Sequence, residues 1–152
     1  MASKPIVVGV DNSPGSALAL EWALNEGVVR GCPVRAITCW SLPPLYGVDV
    51  VAIVGLDPAE IERDSAEMLS NAVNVAMTKI EKAKPGVHPA IEQLVIAGLP
   101  SQELVHESKG AEMIVVGSRG RGGFLGLLLG STATQVIHHA TCPVVVCREE
   151  AK

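Results

Sequence analysis

A basic excess is the first thing the sequence lacks: twelve Lys and Arg stand against sixteen Asp and Glu, for a net charge of -4. Nucleic-acid binding draws on a concentrated positive field, and here the cations are scattered rather than striped, so no nucleic-acid partner is expected. Aromatic residues are scarce too, with one Phe, one Tyr and two Trp. The 48% hydrophobic content rests on Val, Ile, Leu and Ala, a balance that suits buried parallel strands covered by helices rather than an all-β sandwich. Cys32, Cys39, Cys142 and Cys147 form no CxxC pair, which excludes ribbon-type zinc sites and thioredoxin-like redox motifs and leaves buried thiols as the expectation. His88, His106, His138 and His139 show no HExxH spacing and are assigned no metal. No apolar run is long enough to cross a membrane, and Met1 to Pro5 lead into a strand-like run without a leader pattern, so the expected compartment is the cytoplasm with no membrane contact.

What is present is an alternation of short apolar runs and amphipathic stretches. Residues 6–10 read as a strand ending in Asp11, Asn12, Ser13 and Pro14, a polar cap with an N1 proline. Ala17, Leu20, Leu24 and Val28 form the apolar stripe of the helix that follows, and Gly31 closes it. Strand two runs from Val34 to Trp40, and residues 41–57 read as a loop with a candidate lid or partner surface. Asp57 and Pro58 open a long helix with Ile61, Met68, Leu69, Ala72, Ala76 and Ile80 on one side, stopped by Pro85 and Gly86. Strand three follows at 90–96, a short helix at 103–108, a strand at 113–116, a helix at 131–139 and a last strand at 143–147. One domain over residues 1–152 is expected, an α/β fold with a doubly wound five-stranded parallel sheet, helices on both faces and Rossmann-like nucleotide-binding logic. Such sheets bind ligands beyond the carboxyl ends of their strands, where the strand order reverses.

The segment after strand four stands out there. Six glycines fall within the fourteen residues 117–130. Glycine leaves no Cβ between backbone and ligand, so Gly117 and Gly120 suit an anion-binding nest. Gly130, Ser131 and Thr132 open a helix whose N–H groups and dipole favour a phosphate. Arg119 and Arg121 lie between these two anion sites and offer planar donors to a terminal phosphate. A Walker loop is absent, and GxGxxG fails because Leu125 occupies the last glycine's place.

Gly117-x2-Gly120-x9-Gly130-Ser131 resembles the ATP-binding signature of the universal stress proteins. Further landmarks span most of the chain: Ile6 to Asp11, the Gly98-x-Pro100 turn, Val115 to Gly120, and Ala140-x-Cys142-Pro143 running into Val144, Val145 and Val146. The resemblance implies that Asp11 sits near the ribose or a bound cation, with backbone contacts from Gly9 and Val10. It implies that Thr38, Cys39 and Trp40 flank the adenine and that Gly98 leaves room beside it. Val116 would lead into the phosphate site of Gly117, Ser118, Arg119, Gly120, Arg121, Gly122 and Gly123, completed by Gly130, Ser131 and Thr132. The implied ligand is ATP, with Mg2+ or Mn2+ following from its charge. The implied assembly is a homodimer through the last strand, Val144 to Cys147, and the implied activity is regulatory, read by a protein partner still to be identified. One departure stands out: the family commonly has Asp-Gly-Ser after strand one, and this chain has Asn12 in the middle, a residue that tolerates the left-handed region.

Other readings compete. Asp11 with Asn12 and Ser13 also makes an ordinary helix cap. Trp22 reads as core packing, and Trp40 lies on the ligand edge of the sheet. No nucleophile elbow, metal cluster or carboxylate pair is visible, so a dedicated enzyme is not expected and ATP hydrolysis would be slow at most. Cyclic AMP or another adenylate is an alternative ligand. An adenylylating enzyme ranks last, because the SGGxDS and HxGH signatures such enzymes carry are missing.

Overall fold

Short apolar runs become strands here, and the central ones, Ile6–Gly9 and Met113–Gly117, are buried on both faces. In the computed structural model, which describes residues 2–43, 46, 54–120, 126 and 128–150, the strands are β1 (Ile6–Gly9), β2 (Val34–Trp40), β3 (Ile91–Ala97), β4 (Met113–Gly117) and β5 (Val144–Cys147). Between them lie α1 (Pro14–Arg30), α2 (Pro58–Ala83), α3 (Pro100–Glu107) and α4 (Ser131–His139). The sheet is parallel, in the order β3-β2-β1-β4-β5.

Alternation along the strands divides the core into two layers. Ile6, Val8 and Val10 point with Val34, Ala36 and Val115 to α1 and α2. Val7, Ile37, Ile114 and Val116 point to α3 and α4, where Leu104, Ala133 and Val136 meet them. The chain leaves β1 toward β2 and β3, then crosses to β4 and β5 on the other side. The reversal therefore falls between β1 and β4, and a crevice opens beyond their carboxyl ends.

Pro14 opens α1 behind the N-cap Ser13, and Gly31 ends it in the left-handed region at φ 65°. Asp57 caps α2, its side chain accepting from the Ala59 N–H. Helix α3 begins at Pro100, three residues before the expected start, because proline at N1 already has a helical φ.

The buried stripe of α1 differs from the expected one. Ser16, Ala19, Leu20, Ala23, Leu24 and Gly27 face the sheet, whereas Ala17 is exposed and Val28 is half-buried. The helix lies so close that small residues are selected: a Cβ on Gly27 would stand 2.8 Å from Val34 Cγ2 and 3.0 Å from the Cys32 carbonyl oxygen. Trp22 lies off this stripe and is exposed, a correction to the expectation of core packing. The expected lid or partner surface in 41–57 lies mostly outside the described residues.

Candidate functional site

Polar residues knot the turn after β1. Asn12 takes a φ of 66°, the only non-glycine residue in the left-handed region among those described. That conformation lets Asp11 Oδ1 accept hydrogen bonds from both the N–H and the hydroxyl of Ser13. Ser13 Oγ accepts from the Ser16 N–H at 3.2 Å. Ser16 Oγ donates to the Ser13 carbonyl at 3.0 Å and accepts the Asp11 N–H at 3.2 Å. The cap therefore holds the Asp11 carboxylate in place at the mouth of the crevice, with Oδ2 turned toward Gly120: a Cβ there would lie 2.9 Å from it.

Chain close to chain is what the exit of β4 demands. A Cβ on Gly117 would come within 2.6 Å of the Gly15 carbonyl carbon. Neither Gly117 nor Gly120 has a positive φ, so the missing side chain, rather than a left-handed turn, explains glycine at 117. The Ser118 N–H donates to the Cys147 carbonyl at 2.8 Å, and the Ser118 carbonyl accepts from the Gly130 N–H at 2.6 Å. This pairing draws the two halves of the glycine segment together, with Gly130 placed so that its Cβ would lie 3.3 Å from the Gly120 nitrogen. The two anion sites expected from the sequence are thus neighbours. Gly130 is the extended N-cap of α4 and offers no capping side chain. The N–H groups of the first turn and the positive end of the helix dipole therefore face the crevice without a capping side chain.

The crevice closes into a cavity of about 210 Å3. Gly9, Val10, Asp11, Cys39, Val116, Gly117, Arg119, Gly120 and Thr132, all expected from the sequence, line it. Ser118, Gly130 and Ser131 stand behind that wall, at the stitched backbone and the start of α4. Trp40 and Gly98 lie at the β2 and β3 rim, where the Gly98 N–H donates to the Trp40 carbonyl at 2.8 Å. Arg121, Gly122 and Gly123 fall outside the described residues. Sequence reasoning missed Ser13, which read as a cap, and Ser16, Ser65, Met68 and Leu104, whose helical faces became known only from the packing.

The cavity wall carries few charges. Among the described residues Arg119 is its one cation and Asp11 its one carboxylate, and Arg119 has no ion-pair partner. Burial, with a smaller contribution from Glu103, pushes the Cys39 thiol up to about 11, so it stays protonated at neutral pH. Trp40 Nε1 is buried without a hydrogen-bond partner among the described residues. No group of three or more metal-ligating side chains occurs among the described residues, and none of their helices is long and apolar enough to cross a membrane.

Comparison with known proteins places the chain in a family and matches its fold. The sequence profile of the universal stress protein family matches residues 2–148. A universal stress protein of Mycobacterium tuberculosis is 35% identical over 145 residues, covering 95% of this chain and 45% of the relative. The chain thus spans about half the length of that relative. The fold is shared with a universal stress protein solved in complex with cAMP, at 22% identity, a TM-score of 0.64 and coverage of 96% of this chain and 97% of the other. It is shared too with the universal stress protein from Archaeoglobus fulgidus solved in complex with dAMP, at 24% identity, a TM-score of 0.56 and coverage of 97% and 99%.

Proposed function

The chain belongs to the universal stress protein family, and from that premise we propose that it binds an adenine nucleotide, ATP foremost, in the cavity between β1 and β4. It would then act as a nucleotide-responsive stress or regulatory module. One observation carries the reading: Gly120 and Gly130 meet beside the start of α4, with Arg119 and Thr132 on the same wall. Backbone N–H groups, a helix N-terminus, a guanidinium and a hydroxyl there make a phosphate site. The carboxyl ends of β1 and β2, with Thr38 and Cys39, supply the opposite wall for the nucleoside.

Slow hydrolysis at most follows from the same wall. Asp11 is its one carboxylate among the described residues, its Oδ1 already accepts two hydrogen bonds from Ser13, and no second carboxylate is left there to act as a general base. A single carboxylate suits Mg2+ or Mn2+ held chiefly by nucleotide phosphates, with Asp11 as the protein ligand. The cation would supply charge neutralisation. Homodimer formation through β5 belongs to the same reading. Its support is an edge strand whose four residues are all half-buried in the single chain, an open edge of the kind proteins cover.

A second reading takes cyclic AMP or another small adenylate as the ligand, in line with the universal stress protein solved in complex with cAMP. About 210 Å3 is less than the ~300–1,000 Å3 of most small-molecule sites, so the described walls enclose part of a triphosphate rather than all of it. Calorimetric titration with ATP, ADP, AMP and cAMP separates the two readings. The test of the site itself is the native chain against Arg119→Ala and Thr132→Val. ATP affinity should fall about tenfold or more in each, as the loss of a charged hydrogen bond predicts. Undiminished affinity in both removes the phosphate site from this wall.

A further inference from the structure

A second and larger concavity opens between α1 and α2, with a volume of about 620 Å3. Its floor is apolar, made by Leu20 of α1 and by Met68, Ala72 and Val75 of α2. Val75 is 60% exposed there, an apolar side chain that none of the described elements covers. On α2 the lining recurs at 64, 67 and 68, 71 and 72, 75 and 76, and 79, which is one face of a helix followed for four turns, or about 22 Å. A helix laid in a trough of that length meets the floor with apolar residues at the same three- and four-residue spacing.

The rim decides the charge of the occupant. Glu21, Asp64 and Glu67 face the groove against a single cation, Lys79, and Lys79 is already bound to Glu21. Among the described residues Asp64 and Glu67 have no ion-pair partner. Two uncompensated carboxylates at one end of an apolar trough match a partner whose apolar stripe is flanked by Lys or Arg. We propose that the groove between α1 and α2 docks a cationic amphipathic helix of a partner protein, with its basic residues at Asp64 and Glu67 and its apolar face on Met68, Ala72 and Val75. The groove meets the proposed nucleotide cavity at Val10, Ser13, Ser16 and Met68, which line both, so the docking is tested without nucleotide.

The probe is a fluorescein-labelled peptide of Leu and Lys, about 16 residues long to fill the trough, followed by fluorescence anisotropy with the whole chain. It should bind the native chain, and the same peptide with Glu in place of Lys should not. Asp64→Lys with Glu67→Lys should weaken binding about tenfold or more, and Val75→Asp should weaken it as well. Glu62→Lys with Glu150→Lys makes the same change in net charge at exposed positions outside the groove and should leave the affinity unchanged. Circular dichroism of each variant confirms that it is folded. Equal weakening by the two charge-reversal pairs would show attraction by the overall charge alone and overturn the proposal. So would binding of the Leu and Glu peptide, no binding to the native chain, or a native chain that self-associates until Asp64→Lys with Glu67→Lys breaks it apart, which would make a second copy the occupant.

Discussion

Gly117 stands so close to Gly15 that a single added methyl carbon would lie 2.6 Å from the Gly15 carbonyl carbon and 2.9 Å from the Ser16 nitrogen. The neighbour is backbone, which cannot swing aside as a side chain can. Gly117→Ala should therefore cost about 1–3 kcal/mol by overpacking, read as a lower urea midpoint with an unchanged slope. Ligand binding would weaken along with the fold, so this glycine is unsuited to testing the phosphate site, and Arg119 and Thr132 are the better positions. Stability equal to that of the native chain would show that α1 and β4 separate easily.

Asn12 makes a complementary prediction. At φ 66° a β-branched side chain is strained, and Asn12→Val should lose about 1–2 kcal/mol. Asn12→Gly relieves the strain in the folded state and loosens the unfolded one, so it should stay within about 1 kcal/mol of the native chain. Chemical denaturation of the pair measures both. A tolerated valine would mean that the Asp11 turn does not need this conformation.

Cys39 reports on the cavity through its chemistry. Burial raises its thiol from the ordinary 9.0 to about 11, so alkylation by iodoacetamide at pH 8 should be much slower in the folded chain than in urea, and should accelerate as pH approaches 11. Mass spectrometry of the peptide containing Cys39 follows the rate. The stability linked to the protonated thiol is fully present below pH 9 and is lost as pH rises through about 11. Saturating ATP should slow the reaction further, since Cys39 lines the proposed site. Equal rates in folded and unfolded chains would contradict the burial.

Much of the fold is legible in the sequence, and the exceptions share a cause. Val7, Val8, Ile114 and Val115 read as strands because apolar β-branched runs between turn residues have few other uses. The glycines at 117, 120 and 130 read as a ligand segment because their density exceeds what a connection needs. The stripe of α1 was not legible in the same way. Apolar periodicity singles out Ala17 and Val28, but close packing on the sheet buries Ser16, Ala19, Ala23 and Gly27, small residues that carry little hydrophobic signal. Trp22 misleads for the mirror-image reason, since a large apolar ring can sit on a helix flank. Ser65 and Met68 reach the cavity wall only because α2 crosses β2, a relation between distant segments that local pattern does not carry.

The hydrogen bond from the Gly130 N–H to the Ser118 carbonyl, 2.6 Å long, means that residues 119–129 leave and return to nearly one point. Chain length between those anchors is inexpensive: doubling it adds only about 0.6 kcal/mol of closure entropy. The segment is therefore exchangeable. Insertions and rewritten side chains within it would change which ligand the proposed site admits while the sheet and the start of α4 keep their positions, so that ligand choice would diverge among related chains at little cost to folding.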